Sequence, residues 1–489
     1  MSFTFNKDIL PAAFLYLIGI FSLLPGVIVG EKILAIWYVI IFLVMFSKKP
    51  EYVITIYIIW LFLGPGAWHY QLLGESRYSF MLSHIDEALL VAMAGLLYIK
   101  SRDRNKALQK YINISILLAF VVVFSGLANG VGLTNLINYF SSNNFRWFFL
   151  LFTLTTIRLP KTFLQKQIIL IFTIIMINSV FGLFQTILLP DQMAPDGYTP
   201  SRVDAASGLT GLTNAQRLSV LCVGLSIYFF LRYLSGQGRQ NLFLVFIILL
   251  QVATTDSKSV VVFGILIYAT LFVYLFITKQ IKIEVRALLR LVMIGGLLFS
   301  MTLFYSAYNA DTNQATFIGR TINYIDEKQS IADFQKITGY IQSVSVVSTS
   351  GYLGMVIGVG PTNFASTIGL RKGSNLIKSV GFDAEALGAL SSASSKKTDF
   401  SVILGEIGIV GGAIFLFLIL NIFFTTLRKV GKVSNEEDKI FTLFLATWLG
   451  FMILMTLYTE GWLWDQFAIV SLIFLVYDHK YIHTKQVQS

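Results

Sequence analysis

The chain has 489 residues, of which 55% are hydrophobic, 15% aromatic and 13% charged. That balance is too apolar for a soluble globular domain and describes a polytopic, all-α membrane protein. A net charge of +11 would point to nucleic acid in a soluble protein. Here the cations sit in short clusters between apolar runs, where they orient the chain in the bilayer, so nucleic acid is excluded as a partner and membrane lipids are expected.

Apolar runs of crossing length fall near 9–29, 33–47, 52–69, 82–99, 111–130, 145–158, 168–189, 214–234, 241–254, 259–278, 287–306, 400–427, 440–458 and 462–477, about fourteen in all. The first lacks a small-residue cleavage pattern and another run follows at once, so it reads as a retained helix. Cys222 is the single cysteine. It lies inside an apolar run, which leaves no disulfide and no cysteine metal site and makes it a small core residue.

With the N-terminus placed inside, the inner loops collect most of the 37 basic residues. They include the cluster Lys100, Arg102, Arg104, Lys106, Lys110 and the group Arg428, Lys429, Lys432. Outer loops and adjoining helix ends hold only Lys32, Arg77, Arg146, Arg202, Arg217 and Lys258. This bias predicts both termini cytoplasmic and the one long loop external. The chain divides accordingly into 1–306 with transmembrane helices 1–11, the loop 307–399, and 400–489 with helices 12–14 and a cytoplasmic tail.

Within the loop, Ser330-Ile-Ala-Asp333 fits a capping-box helix start. Ile331, Phe334, Ile337, Ile341 and Val344 then recur at helical spacing, predicting an amphipathic helix that lies on the membrane surface or caps the bundle. Next, Gly351-Tyr-Leu-Gly-Met-Val-Ile-Gly-Val-Gly-Pro361 is apolar, Gly-rich and Pro-terminated, which suits a tight turn or a re-entrant piece. A basic stretch with Arg371, Lys372 and Lys378 follows, and a Ser-rich run at 391–395 with Lys396 and Lys397 reads as mobile. No internal repeat suggests the paired halves of a secondary transporter.

Few external cations and acids remain to carry chemistry. Arg217 opens an apolar helix in Thr213-Asn-Ala-Gln-Arg-Leu-Ser-Val-Leu221; it is either a snorkelling interfacial arginine or a planar fork for a phosphate. Lys258, in a short turn, either pairs with Asp256 or faces the same ligand. Arg202, Arg320 and Arg371 are loop cations of either kind, and Arg146 beside Trp147 reads as an interface anchor. Among acids and imidazoles, His69, His84, Asp86 and Glu87 cluster at helix ends, Glu406 lies inside the twelfth span, and Asp383, Glu385 and Asp399 are candidate bases by location. His479 and His483 have i, i+4 spacing on the cytoplasmic tail and are expected to bind nothing. No metal, nucleotide or nucleophile motif is present and no cofactor is expected, so any substrate must arrive already activated.

Four segments share an order. Gly208-Leu-Thr-Gly-Leu-Thr-Asn-Ala-Gln-Arg217, Thr255-Asp-Ser-Lys-Ser259, Gly358-Val-Gly-Pro-Thr-Asn-Phe364 and Leu404-Gly-Glu-Ile-Gly-Ile-Val-Gly411 together resemble the motif set of the O-antigen ligase and polymerase superfamily. The resemblance implies a bacterial inner-membrane glycosyltransferase acting on its periplasmic face. Its donor and acceptor would be oligosaccharides on polyprenyl pyrophosphate, with a chain-length regulator protein as a further partner. It also implies pyrophosphate contacts from Arg217 and Lys258, then Arg202, Arg320 and Arg371. The ligases carry a histidine shortly before the last motif, where this chain reads Ser395-Lys-Lys-Thr-Asp-Phe400. Its absence favours the polymerase branch over a ligase and leaves Asp399, with Glu406, as the catalytic carboxylates. Against a lipid-linked oligosaccharide flippase stand the long loop and the lack of repeats.

Overall fold

The structure, a computed structural model of the chain, describes residues 5–21, 40, 49, 51–63, 89, 92, 106–141, 145–188, 215–254, 258–280, 335–364, 398–459, 461, 463 and 465–482. The described elements are α-helices, with no strand among the described residues. In chain order they are α1 (Phe5–Phe21), α2 (Tyr52–Leu63), α3 (Lys106–Ala128), α4 (Leu133–Ser141), α5 (Arg146–Thr156), α6 (Lys161–Leu188), α7 (Ala215–Leu234), α8 (Gln240–Thr254), α9 (Lys258–Thr278), α10 (Gln335–Thr349), α11 (Gly351–Ile357), α12 (Asp399–Val430), α13 (Glu436–Tyr458) and α14 (Asp465–Tyr477). A π-helical turn, Asp478–Ile482, follows α14.

Six helices among the described residues are long and apolar enough to cross a membrane: Leu108–Ala128, Lys161–Gln185, Gln216–Leu234, Ser259–Thr278, Asp399–Val430 and Glu436–Tyr458. Ile9–Gly19, Tyr52–Phe62 and Gln240–Ala253 are shorter apolar helices. These make the chain a helical membrane protein. The run expected at 287–306, all but residue 40 of the one at 33–47, and all but two residues of the one at 82–99 lie outside the described residues. Helices α4, α10 and α11 occupy stretches that hydropathy assigns to loops.

Hydrogen bonds fix how the helices run. Early in α3, the Lys110 ammonium donates to Asn421 Oδ1 at 3.1 Å and Thr425 Oγ1 at 3.0 Å, late in α12. Near the end of α3, Ser125 Oγ donates to the Glu406 carbonyl, early in α12, at 3.1 Å. The two helices are therefore antiparallel. Gln165, early in α6, reaches the Tyr477 hydroxyl at the end of α14 at 3.3 Å, and Lys480 donates to the Ile157 carbonyl just past α5 at 2.8 Å. One end of the bundle thus gathers the starts of α3 and α6 with the ends of α5, α12 and α14. It holds Lys110, Arg158, Lys161, Arg428, Lys429, Lys432 and Lys480 and is the basic end.

Between the ends the core is aromatic. The Phe172 ring of α6 meets Tyr228 of α7 at 4.9 Å, Phe444 of α13 at 5.9 Å and Phe474 of α14 at 5.6 Å. Gly224 lets α7 and α13 close up, because a β-carbon there would stand 2.2 Å from the Trp448 ring. Small residues at such contacts are how lipid-embedded helices gain dispersion energy without a hydrophobic driving force.

Two passages are broken. After α3, helix α4 folds back along it, with Leu136 Cδ1 3.1 Å from where a Gly126 β-carbon would be. The chain then resumes as α5, whose 11 residues span roughly 16 Å and finish at the basic end. Arg146 at its start is buried in the bundle, at 5% exposed, where an interface anchor would snorkel outward, and this corrects its reading as an anchor. The other broken passage is α12, where Gly408 adopts φ 68 and ψ −170.

Helices α10 and α11 lie against α12. The segment after α11 supplies the bonds that the break in α12 forgoes: Val359 N donates to the Gly405 carbonyl at 3.1 Å and Gly360 N to that of Glu406 at 3.0 Å. Glu406 stands about 10 Å into α12 by helical rise, and the Gly-rich stretch expected as a tight turn or a re-entrant piece packs there as α11 and the turn after it. The amphipathic helix is present as α10, with its faces the other way round from a helix capping the bundle with its apolar side. Gly339, Ser343, Val346 and Val347 are buried, Ser343 Oγ donates to the Ser401 carbonyl at 2.8 Å, and Ile337, Ile341 and Val344 face outward. The expected cap at 330–333 lies outside the described residues.

Candidate functional site

Two of the four ordered segments interlock. Gly358 has φ +78 and Gly408 φ +68. A β-carbon on Gly358 would stand 2.4 Å from the backbone of Glu406, and one on Gly408 would stand 2.4 Å from Gly358 N. Only residues without a side chain let these two backbones cross. Gly405 similarly makes room for Phe364, whose ring would meet its β-carbon at 2.2 Å. Asn129, at the end of α3, donates to the Gly358 carbonyl at 3.1 Å and to that of Ser125 at 2.8 Å. Buried irregular backbone is tolerated when its polar groups are satisfied in this way.

Glu406 lies at this crossing and is fully buried, at 0% exposed. Tyr139 of α4 is hydrogen-bonded to its carboxylate. Both breaks in the helical passages thus meet around one carboxylate.

The second cluster is at the cation-poor end. Gln216 Nε2, at the start of α7, donates to Ser259 Oγ at the start of α9 at 3.3 Å and to Thr459 Oγ1 past α13 at 3.2 Å. Asp399 N, opening α12, donates to the Thr459 carbonyl at 2.8 Å. Three helix N-termini converge there, and their dipoles favour negative charge. Thr398 caps α12: its side chain accepts from Ser401 N at 3.0 Å while Ser401 Oγ accepts from Thr398 N at 2.9 Å. Asp399 Oδ2 accepts backbone N–H groups of Gly461 at 2.6 Å and Leu463 at 3.1 Å, clamping the turn between α13 and α14. Tyr340 of α10 donates its hydroxyl to the Leu457 carbonyl, tying the α10–α11 pair to the same end.

Arg217 lies in the first turn of α7, buried at 7% exposed, and Lys258 opens α9. These two residues and Asp399, nominated from distant parts of the sequence, therefore belong to one end of the bundle, while Glu406 lies beneath them. The side chain of Lys258, and all of Arg202, Arg320, Arg371, Asp383, Glu385, His69, His84, Asp86 and Glu87, lie outside the described residues. Cys222 is buried in α7. Among the described residues, no group of three or more His, Cys, Asp or Glu side chains could hold a metal.

His479, assigned by sequence to the tail after the last span, is packed into the bundle. It is buried, with Nε2 3.5 Å from the Tyr111 hydroxyl, Nδ1 3.2 Å from Lys429 Nζ and Nδ1 3.4 Å from Asp478. The sequence signal was available: Asp478-His-Lys480 follows an apolar helix without a Gly or Pro to end it, and the chain continues as a packed π-helical turn. Tyr139 was not nominated at all, because hydropathy assigns its stretch to a loop.

No protein family matches the chain, and no curated protein is similar to it.

Proposed function

We propose that the protein is a membrane glycosyltransferase that polymerises polyprenyl-pyrophosphate-linked oligosaccharide repeat units on the periplasmic face of a bacterial inner membrane. The observation that carries this reading is the convergence of Arg217, the starts of α7, α9 and α12, and Asp399 around Thr459 at the cation-poor end. A guanidinium, a lysine and helix dipoles beside one carboxylate suit a reaction in which a diphosphate leaves as a sugar hydroxyl is deprotonated.

In this reading the acceptor hydroxyl oxygen bonds to the anomeric carbon of the donor. The bond from that carbon to the pyrophosphate oxygen breaks, and its electron pair leaves with polyprenyl pyrophosphate, stabilised by Arg217 and Lys258, with Arg202, Arg320 and Arg371 as further contacts. Asp399 takes the hydroxyl proton, its other carboxylate oxygen anchored by the 461 and 463 amides. Glu406 acts as a positioning residue that holds α12 at its break. The glycan donor carries its own leaving group, so the reaction draws on no cofactor.

Reconstitution of the full chain with lipid-linked repeat units tests this. The expected product is a ladder of lengthening glycans, lost on Arg217→Ala. Transfer only to a different lipid or protein acceptor indicates a ligase, and relocation of unaltered lipid a flippase; either overturns the proposal.

A further inference from the structure

We propose that the lipid-facing groove between α3 and α12 at the basic end binds the headgroup of an anionic phospholipid. Lys110 of α3 is exposed and donates across the groove to Asn421 and Thr425. On α12, Asn421, Thr425 and Arg428 fall on one face at helical spacing, a polar stripe on an otherwise apolar helix. Arg428 lies close enough to Lys110 for the two charges to repel, and Lys429 feels both Lys110 and Lys432 in the same way.

A folded chain brings like charges together at a cost, which the described structure offsets only at Lys429. Among the described residues, Lys110, Arg428 and Lys429 have no carboxylate within ion-pair distance. The acid that attracts Lys429 is Asp478, which is itself held by Thr442 Oγ1 at 2.6 Å and by His479. An anion from outside the chain completes the cluster, and a phosphate with several acceptor oxygens matches one guanidinium and two ammonium groups.

The surroundings select a lipid over a free ion. Moving from these cations toward the middle of the bundle, α3 exposes Leu117 and Phe120, and α12 exposes Phe424 and Phe417. A charged patch that gives way along one groove to exposed apolar side chains follows the outline of a phospholipid, headgroup at the helix ends and acyl chains along the aromatics. Positive charge at this end is thus not only an orientation signal, because part of it is built into a site.

The test uses the full chain in detergent, titrated separately with dioleoylphosphatidylglycerol, dioleoylphosphatidylcholine and sodium phosphate, reading bound lipid by native mass spectrometry and the thermal unfolding midpoint. Phosphatidylglycerol is expected to bind and to raise the midpoint, with little from phosphatidylcholine or phosphate. The double variant Lys110→Gln/Arg428→Gln should bind phosphatidylglycerol about thirty-fold more weakly, from roughly one unit of surface attraction per cation removed. Its lipid-free midpoint should shift little, because the relieved repulsion offsets the two hydrogen bonds that Lys110 gives Asn421 and Thr425, which distinguishes lost binding from lost folding. Arg239→Gln, an exposed cation in the turn between α7 and α8, should keep full affinity. Equal binding of phosphatidylcholine, equal stabilisation by phosphate, or undiminished affinity of the double variant overturns the site.

Discussion

Gly358 and Gly408 each combine a left-handed φ with another backbone where a β-carbon would stand. An alanine at either position meets two penalties, the φ strain of about 1–2 kcal/mol and an overpacking term of about 1–3 kcal/mol. Gly408→Ala is therefore expected to destabilise the protein by about 2–5 kcal/mol, read as a lowered thermal midpoint in detergent. Gly351 also has positive φ, but nothing lies within 4 Å of its would-be β-carbon, so Gly351→Ala should lose only the first term. Equal losses at the two sites would remove the interlock as the reason for the glycines. Asp399 poses a different question, because an anchored carboxylate can serve structure or chemistry. Asp399→Asn keeps an acceptor for the 461 and 463 amides and should reduce stability by about 1–2 kcal/mol. As general base its loss should slow ladder formation about 10²–10⁴-fold in protein that remains folded; an unslowed ladder takes it out of the chemistry.

At the level of elements, the ordinary transmembrane helices were legible in the sequence because lipid imposes one rule, continuous apolar length, and α3, α6, α7, α9 and α13 obey it. The broken passages were not. Helix α4 carries Asn135, Asn138 and Tyr139, so hydropathy files it with the loops, although Tyr139 reaches the Glu406 crossing. Glycine spacing in 351–361 did signal tight turns, since left-handed turns need glycine wherever they occur. The amphipathic pattern of α10 was read correctly as a pattern, but its outer face could not be: periodicity says that one stripe is apolar, not whether the stripe meets protein or lipid. Site residues followed the same division. Arg217 and Asp399 announced themselves as rare charges next to apolar runs, whereas Tyr139 and His479 gain their meaning only from what packs beside them. The outward stripe of α10 is testable because the only native cysteine, Cys222, is buried. Ile341→Cys and Val344→Cys should resist a membrane-impermeant maleimide in native membranes. Ready labelling of both would show that this face meets water, and that the α10–α11 pair sits outside the lipid.

For the whole molecule, the proposals about polymerisation share one premise, that the end carrying Arg217 and Asp399 faces away from the cytoplasm. Helix directions tie the two ends together rigidly: if α3 begins at the basic end, then α12 and α14 finish there, and the turns at 129–132 and 459–463 lie opposite. The positive-inside rule then turns one bundle-wide asymmetry into an orientation. Two single cysteines sample both ends. Gly132 is exposed in the turn after α3 with nothing within 4 Å of a β-carbon, and Ser434 is exposed in the turn between α12 and α13. In intact cells, an impermeant maleimide should label Gly132→Cys and leave Ser434→Cys unlabelled until the membrane is opened. The reverse pattern would put the convergent helix N-termini in the cytoplasm. A periplasmic polymerase would then be ruled out, while the phospholipid groove between α3 and α12 would survive, since its argument depends on charge and shape and not on which leaflet supplies the lipid.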